Sequence, residues 1–221
     1  MILKLVRKDF LLVKKYVYIM ILVTLIAPTI LYMQMEVQKN EKAFYGTLIF
    51  FLIMFVIVLL LSNSVSIVEE TYKKGCAYLC TTPYSRNQIV ISKYVFSYCI
   101  FVAYVVIYII EHLFLPQFTI MPSKEIILLC FAFVTVFRGV LIPLEFKFGY
   151  EKAKYIIFIL VMGTPFISSL IIDKLGLSKL DFSFINNISI NWMLVIVIAT
   201  LVFAALSVCI SCRIFNKKDL M

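Results

Sequence analysis

Uncharged or nearly uncharged stretches at residues 16–35, 44–68, 94–115, 126–144, 155–172 and 192–212 alternate along the chain with short polar connections. Each falls within the roughly 17 to 25 apolar residues that a helix needs to cross the hydrocarbon core of a bilayer. Inside lipid every backbone N–H and C=O must be satisfied by the protein, which a helix achieves on its own. The pattern predicts an all-α, polytopic membrane protein with six transmembrane helices in a single transmembrane domain over residues 1–221. Ahead of the first stretch, Leu3, Val6, Phe10, Val13 and Val17 recur at helical spacing, opposite Lys4, Arg7, Lys8, Lys14 and Lys15. That arrangement predicts an amphipathic interfacial helix over residues 1–15, lying on the inner headgroups. Anchoring is its plain role; docking a cytosolic partner is the sharper one.

Composition removes the water-soluble alternatives. With 63% hydrophobic residues, 15% charged residues and a mean hydropathy of +1.05, a soluble fold would have no surface to show. The net charge of +9 would suit nucleic acid, but its placement argues for a membrane and against a nucleic-acid partner. Fifteen basic residues lie in the amino-terminal arm, the second-to-third and fourth-to-fifth connections and the tail, whereas the alternate connections hold Lys39, Lys42, Lys124, Lys174 and Lys179. The positive-inside rule then places both termini in the cytoplasm. The first stretch is too long for a signal-peptide core and lacks a small-residue cleavage pattern, so it is expected to stay. Cys99 and Cys130 fall within spans, and Cys76, Cys80, Cys209 and Cys212 fall near the reducing face. A four-thiolate zinc site can be drawn from the last four, but cysteine is a common small residue of apolar helices, and no metal is expected.

The second-to-third connection carries the densest local signals. Residues 69–80, from Glu69 to Cys80, continue the second span as a short amphipathic helix, and Thr81-Thr82-Pro83 ends it, because proline lacks the amide and blocks continuation. Ser85 and Gln88 then form an S-x-x-Q capping box, which predicts that the third helix starts at Ser85 and runs through Lys93 into the membrane. A helix, a stop and a capped restart make a rigid elbow. Its plain reading is a tight turn; its functional reading is a shaped element on which another protein pushes.

Several stretches resemble small permease subunits of ABC-2 type transporters from Gram-positive bacteria. They are the start, with Leu3 and Val6-Arg7-Lys8-Asp9-Phe10-Leu11-Leu12; the elbow from Glu69 through Thr81-Thr82-Pro83-Tyr84-Ser85-Arg86 to Lys93-Tyr94; and Ile142-Pro143-Leu144-Glu145-Phe146-Lys147 onward to Lys154. Within that family the chain is most similar to the permeases of staphylococcal exporters for phenol-soluble modulins, which are amphipathic toxin peptides. The resemblance implies a coupling helix after the second span that fits a groove on a cytosolic ABC ATPase. It marks Glu69, Glu70, Tyr72, Lys73, Gly75, Leu79, Pro83, Ser85 and Arg86 as ATPase-coupling residues, with a lesser contact around Lys147, Gly149 and Glu151. It further implies a second permease, identical or sister, and an exported hydrophobic or amphipathic peptide. ATP and Mg would sit on the partner ATPase. The chain itself has no G-x-x-x-x-G-K-[ST] phosphate loop and is expected to be neither an enzyme nor a cofactor binder.

Charges inside the spans are costly, about 2.5 to 3.5 kcal/mol each near the bilayer centre on insertion scales. Arg138 either snorkels to the inner headgroups or lines a cavity for an anionic group of the substrate, as a candidate for the translocation path. Glu111 and His112, near the outer end of the third span, are expected to face water or headgroups. Two rival functions remain. Glu69-Glu70 resembles the paired glutamates of intramembrane prenyl-protein proteases, but with His112 as the single histidine that site cannot be assembled. A non-transporting immunity or assembly factor that binds a peptide in the bilayer is the other.

Overall fold

The computed structural model of the chain describes residues 2–34, 42–71, 84–116, 121–155 and 190–217. Helices within them include α1 (Ile2–Leu12), α2 (Lys14–Gln34), α3 (Lys42–Thr71), α4 (Arg86–Phe114), α5 (Lys124–Phe148) and α6 (Ile190–Lys217). Segments of α3 and α6, with the whole of α4 and α5, are long and apolar enough to cross a membrane, giving four spans; α1 with α2 makes a fifth as one bent pair. The predicted second, third, fourth and sixth spans thus fall on α3, α4, α5 and α6. Each helix outruns its apolar stretch, because backbone hydrogen bonding continues into the polar interface where capping residues end it. The predicted fifth span lies outside the described residues apart from Tyr155, as do residues 72–83, which hold most of the predicted coupling helix.

The amino-terminal expectation needs one correction. The chain bends by 77° between α1 and the first turns of α2. Yet Leu3 of the predicted apolar face is 77% exposed, and the buried side of α1 is Leu5, Val6 and Asp9, with Val13 fully buried at the bend. The face that α1 buries is rotated from the one that hydrophobicity selects, because it packs on protein that itself carries charge. Phe10 sits edge-on to Phe96 of α4 at 4.7 Å.

In α3, Phe50, Met54, Ile57, Val58, Leu61 and Val65 repeat at helical spacing and are all buried. They meet Phe96, Ile100, Phe101, Tyr104 and Tyr108 of α4 and Cys130 and Val134 of α5 in one apolar core. α4 packs against every other described helix and is the centre of the bundle. The pairing of Phe50 with Tyr104 and Tyr108 at one end, and of Ser62 with Ser97 further along, makes α3 and α4 antiparallel. Contacts of Phe51 and Phe55 with Phe133, then Ser66 with Glu145, make α3 and α5 parallel. Gly139 with Ser207, then Phe146 with Phe215, make α5 and α6 parallel as well. Away from the core, Trp192, Leu194, Ile198, Leu201, Leu206 and Ile210 of α6 are more than half exposed, a face made for lipid.

α5 and α6 approach closely for a local reason. Pro143 has no N–H, so the carbonyl of Gly139 one turn earlier loses its helical partner. Ser207 Oγ of α6 donates to that carbonyl instead. The approach requires glycine, since a Cβ at position 139 would lie 2.6 Å from Phe203 Cε1. A break inside one helix is thus repaired by its neighbour, as membrane helices with internal proline require.

Candidate functional site

The end of the bundle where α1, the carboxyl end of α3 and the amino end of α4 meet carries four charged side chains at close quarters. Lys8 Nζ lies 2.8 Å from Glu69 Oε1 and 3.0 Å from Asp9 Oδ1. Lys93 Nζ lies 2.7 Å from Glu69 Oε2 and 3.8 Å from Asp9 Oδ1. Asp9 is fully buried and Lys93 nearly so. Two cations and two carboxylates cancel, and each carboxylate serves both cations, so the charges are held where an isolated one would be too costly. Burial works against the charge of Lys8, but the Glu69 and Asp9 carboxylates outweigh it and hold its ammonium above the usual lysine range. The cluster ties α1 to the end of α3 and the start of α4. The spacing sets Lys8 on the polar side of α1, opposite its apolar face, and a pairing with Glu69 across 61 positions leaves no local signature.

The capping box forms as the spacing predicts. Ser85 is extended at φ −70° and ψ 150°, its Oγ accepts from the Gln88 N–H, and Gln88 Oε1 accepts from the Ser85 N–H. Arg86 follows and reaches α6, where Nη1 donates to the carbonyls of Phe215 and Asn216 at 3.3 and 3.1 Å. Those carbonyls lie in the last described turn of α6, and the carboxyl end of a helix is where a cation is most favourable. Asn216 Nδ2 adds a bond to Asn87 Oδ1 at 2.9 Å. The start of α4 is therefore clamped to the end of α6 as well as to α1.

Of the other predicted coupling residues, Glu70 lies in the last turn of α3, and Tyr72, Lys73, Gly75, Leu79 and Pro83 lie outside the described residues. Lys147 is exposed on the last turn of α5, with Nζ 5.1 Å from the Phe148 ring. Gly149 caps α5 at φ 81°, a left-handed conformation open to glycine, and donates to the Glu145 carbonyl at 2.9 Å. Glu151 is exposed beyond it. These three sit at the same end of the bundle as the ionic cluster and the Arg86 clamp.

A second polar network lies deeper. Arg138 is 2% exposed; its Nε donates to Ser97 Oγ at 3.1 Å and its Nη1 lies 3.5 Å from Glu145 Oε1. Glu145 Oε2 accepts from Ser66 of α3 at 2.9 Å. Ser97 spends its proton on the Lys93 carbonyl, so Ser62 is the donor in its 3.2 Å contact with Ser97. Donor counting also orients the third network: Ser207 is committed to Gly139, so Tyr94 donates to Ser207 and Ser211 donates to Tyr94. Arg138 thus leans toward the ionic end, pairing two turns along its own helix. Glu111, expected in water or headgroups, is instead turned into the protein at 3% exposure. Among the described residues no group of three or more His, Cys, Asp or Glu side chains is arranged to hold a metal.

A search of curated proteins and of solved structures finds no match to the chain. The family model described as ABC-2 family transporter protein matches residues 4–216, which takes in nearly all of α1, the ionic cluster, the capped start of α4 and every described span. The chain belongs to the ABC-2 family of transporter proteins and is a multi-pass membrane permease of that kind.

Proposed function

We propose that this permease is the membrane-spanning subunit of an ATP-driven exporter. It forms the path for a hydrophobic or amphipathic substrate, such as a cytolytic or antimicrobial peptide, and is driven by a separate cytosolic ABC ATPase. It works beside a second permease chain, with both termini in the cytoplasm. The observation that carries the reading is the ionic cluster. Lys8, Asp9, Glu69 and Lys93 join the interfacial helix to the two helices whose ends frame residues 72–83, so a push on that segment reaches three helices at once. Such a joint suits transmission of force between two states that a partner distinguishes. The Arg86 clamp extends it to α6. Six crossings are supported by the parallel course of α5 and α6, which leaves the end of one and the start of the other on opposite sides of the bundle.

The test replaces residues 72–83 with a flexible Gly/Ser linker of equal length and reads three quantities. Membrane insertion should be retained, co-purification of the partner ATPase should be lost, and nucleotide-dependent transport in vesicles should fall to background. Retained co-purification would overturn the assignment of this segment as the coupling element.

A further inference from the structure

Among the described residues the buried charges of the bundle balance one another, with a single exception. Arg138 is matched by Glu145, and Lys8 and Lys93 by Asp9 and Glu69. Glu111 is 3% exposed, and neither of its carboxyl oxygens has a hydrogen-bond partner among the described residues. A bare carboxylate in apolar surroundings is so unfavourable that it either keeps its proton or takes a cation. What surrounds Glu111 suits the cation. Tyr104, Tyr108 and Glu111 follow at spacings of four and three along α4 and so share one face of that helix. All three are buried, and both tyrosine rings pack on Phe50 of α3, at 5.3 and 4.7 Å between centroids. A carboxylate beside aromatic faces is the combination that holds organic cations.

The site lies one turn from the carboxyl end of α4, where Leu113 and Phe114 are 75% and 79% exposed. We propose that Glu111, backed by Tyr104 and Tyr108, is the acceptor for a primary ammonium group on the transported amphiphile. This deepens the permease reading and rests on it: the favoured cargo is a cationic amphiphile, not an anionic one. Arg138 has its charge committed to Glu145, whereas the carboxyl of Glu111 stands uncommitted among the described residues.

The experiment uses the full chain in nanodiscs of uncharged phosphatidylcholine, with empty nanodiscs as baseline, and compares octylammonium, octanol and octanoate as probes of equal chain length. Octylammonium is expected to bind about tenfold more tightly than octanol, a step of one decade in Kd. The preference should vanish in Glu111→Gln and persist in Glu111→Asp. Equal binding of octanol, stronger binding of octanoate, or a preference that survives Glu111→Gln would each overturn the proposal and leave Glu111 as a proton-bearing acid alone. The wild-type comparison stands even where a variant fails to fold. Because no ATPase is present, failure here leaves the coupling assignment untouched, and failure of the linker test leaves amine binding untouched.

Discussion

Glu69 shows how one side chain takes a role that its neighbours in sequence do not announce. It accepts from Lys8 and from Lys93, one on each carboxyl oxygen. Glu69→Gln removes the charge that both lysines answer. Breaking a buried pair costs about 3 to 5 kcal/mol in general, and because the Lys8 side chain is 32% exposed the loss here is set at about 2 to 3 kcal/mol. Thermal unfolding in detergent measures it, and Glu69→Gln combined with Lys93→Gln should recover part of the loss, since the second change removes a cation left without its partner. Ser207 makes a parallel case. Ser207→Ala orphans the Gly139 carbonyl and takes away the acceptor of the Tyr94 O–H, which keeps its bond from Ser211, at a cost of about 1 to 3 kcal/mol. Pro143→Ala gives the Gly139 carbonyl back its helical amide, so Ser207→Ala should cost less in that background, and a double-mutant cycle reads the difference directly.

Among elements, the α5 and α6 pair depends on the absence of one carbon atom. Gly139→Ala places a Cβ 2.6 Å from the Phe203 ring and forces the helices or the ring to shift, at about 1 to 3 kcal/mol for overpacking. Phe203→Leu should relieve it, and comparing the unfolding midpoints of single and double variants decides whether the ring is the obstacle. The α3 and α4 pair is held differently, by the apolar core and by Ser62 and Ser97, whose oxygens are 3.2 Å apart. If α1 to α4 move as one body, locking that pair should not stop transport. A disulfide formed between Ser62→Cys and Ser97→Cys, in a chain whose natural cysteines are replaced, should leave vesicle transport within about twofold of its reduced form, a difference below 0.5 kcal/mol. Arrest on oxidation and recovery on reduction would show that α3 and α4 separate during the cycle.

For the whole molecule, hydrophobic patterning alone was enough for membrane residence, an all-helical bundle and the approximate ends of α3, α4, α5 and α6, because lipid leaves a chain so few solutions. The start of α4 was legible to the residue, since a capping box is local chemistry between Ser85 and Gln88. The pairing of Lys8 with Glu69 and of Lys93 with Asp9, the Arg86 clamp on α6 and the inward turn of Glu111 were not legible. Each depends on which helix faces stand opposite one another, and a period of 3.6 residues ranks faces by hydrophobicity without saying what they meet. α1 makes the distinction concrete: its spacing predicted an apolar face on lipid, and packing turned Leu5 and Asp9 inward and left Leu3 outside. What the sequence determined by itself is where the chain must be helical and which lengths must lie in hydrocarbon, since backbone hydrogen bonding and solvation act over neighbouring residues. Only the tertiary structure decided which charges cancel and which one is left over, because Coulomb attraction and desolvation are settled between residues that folding brings together from distant parts of the chain.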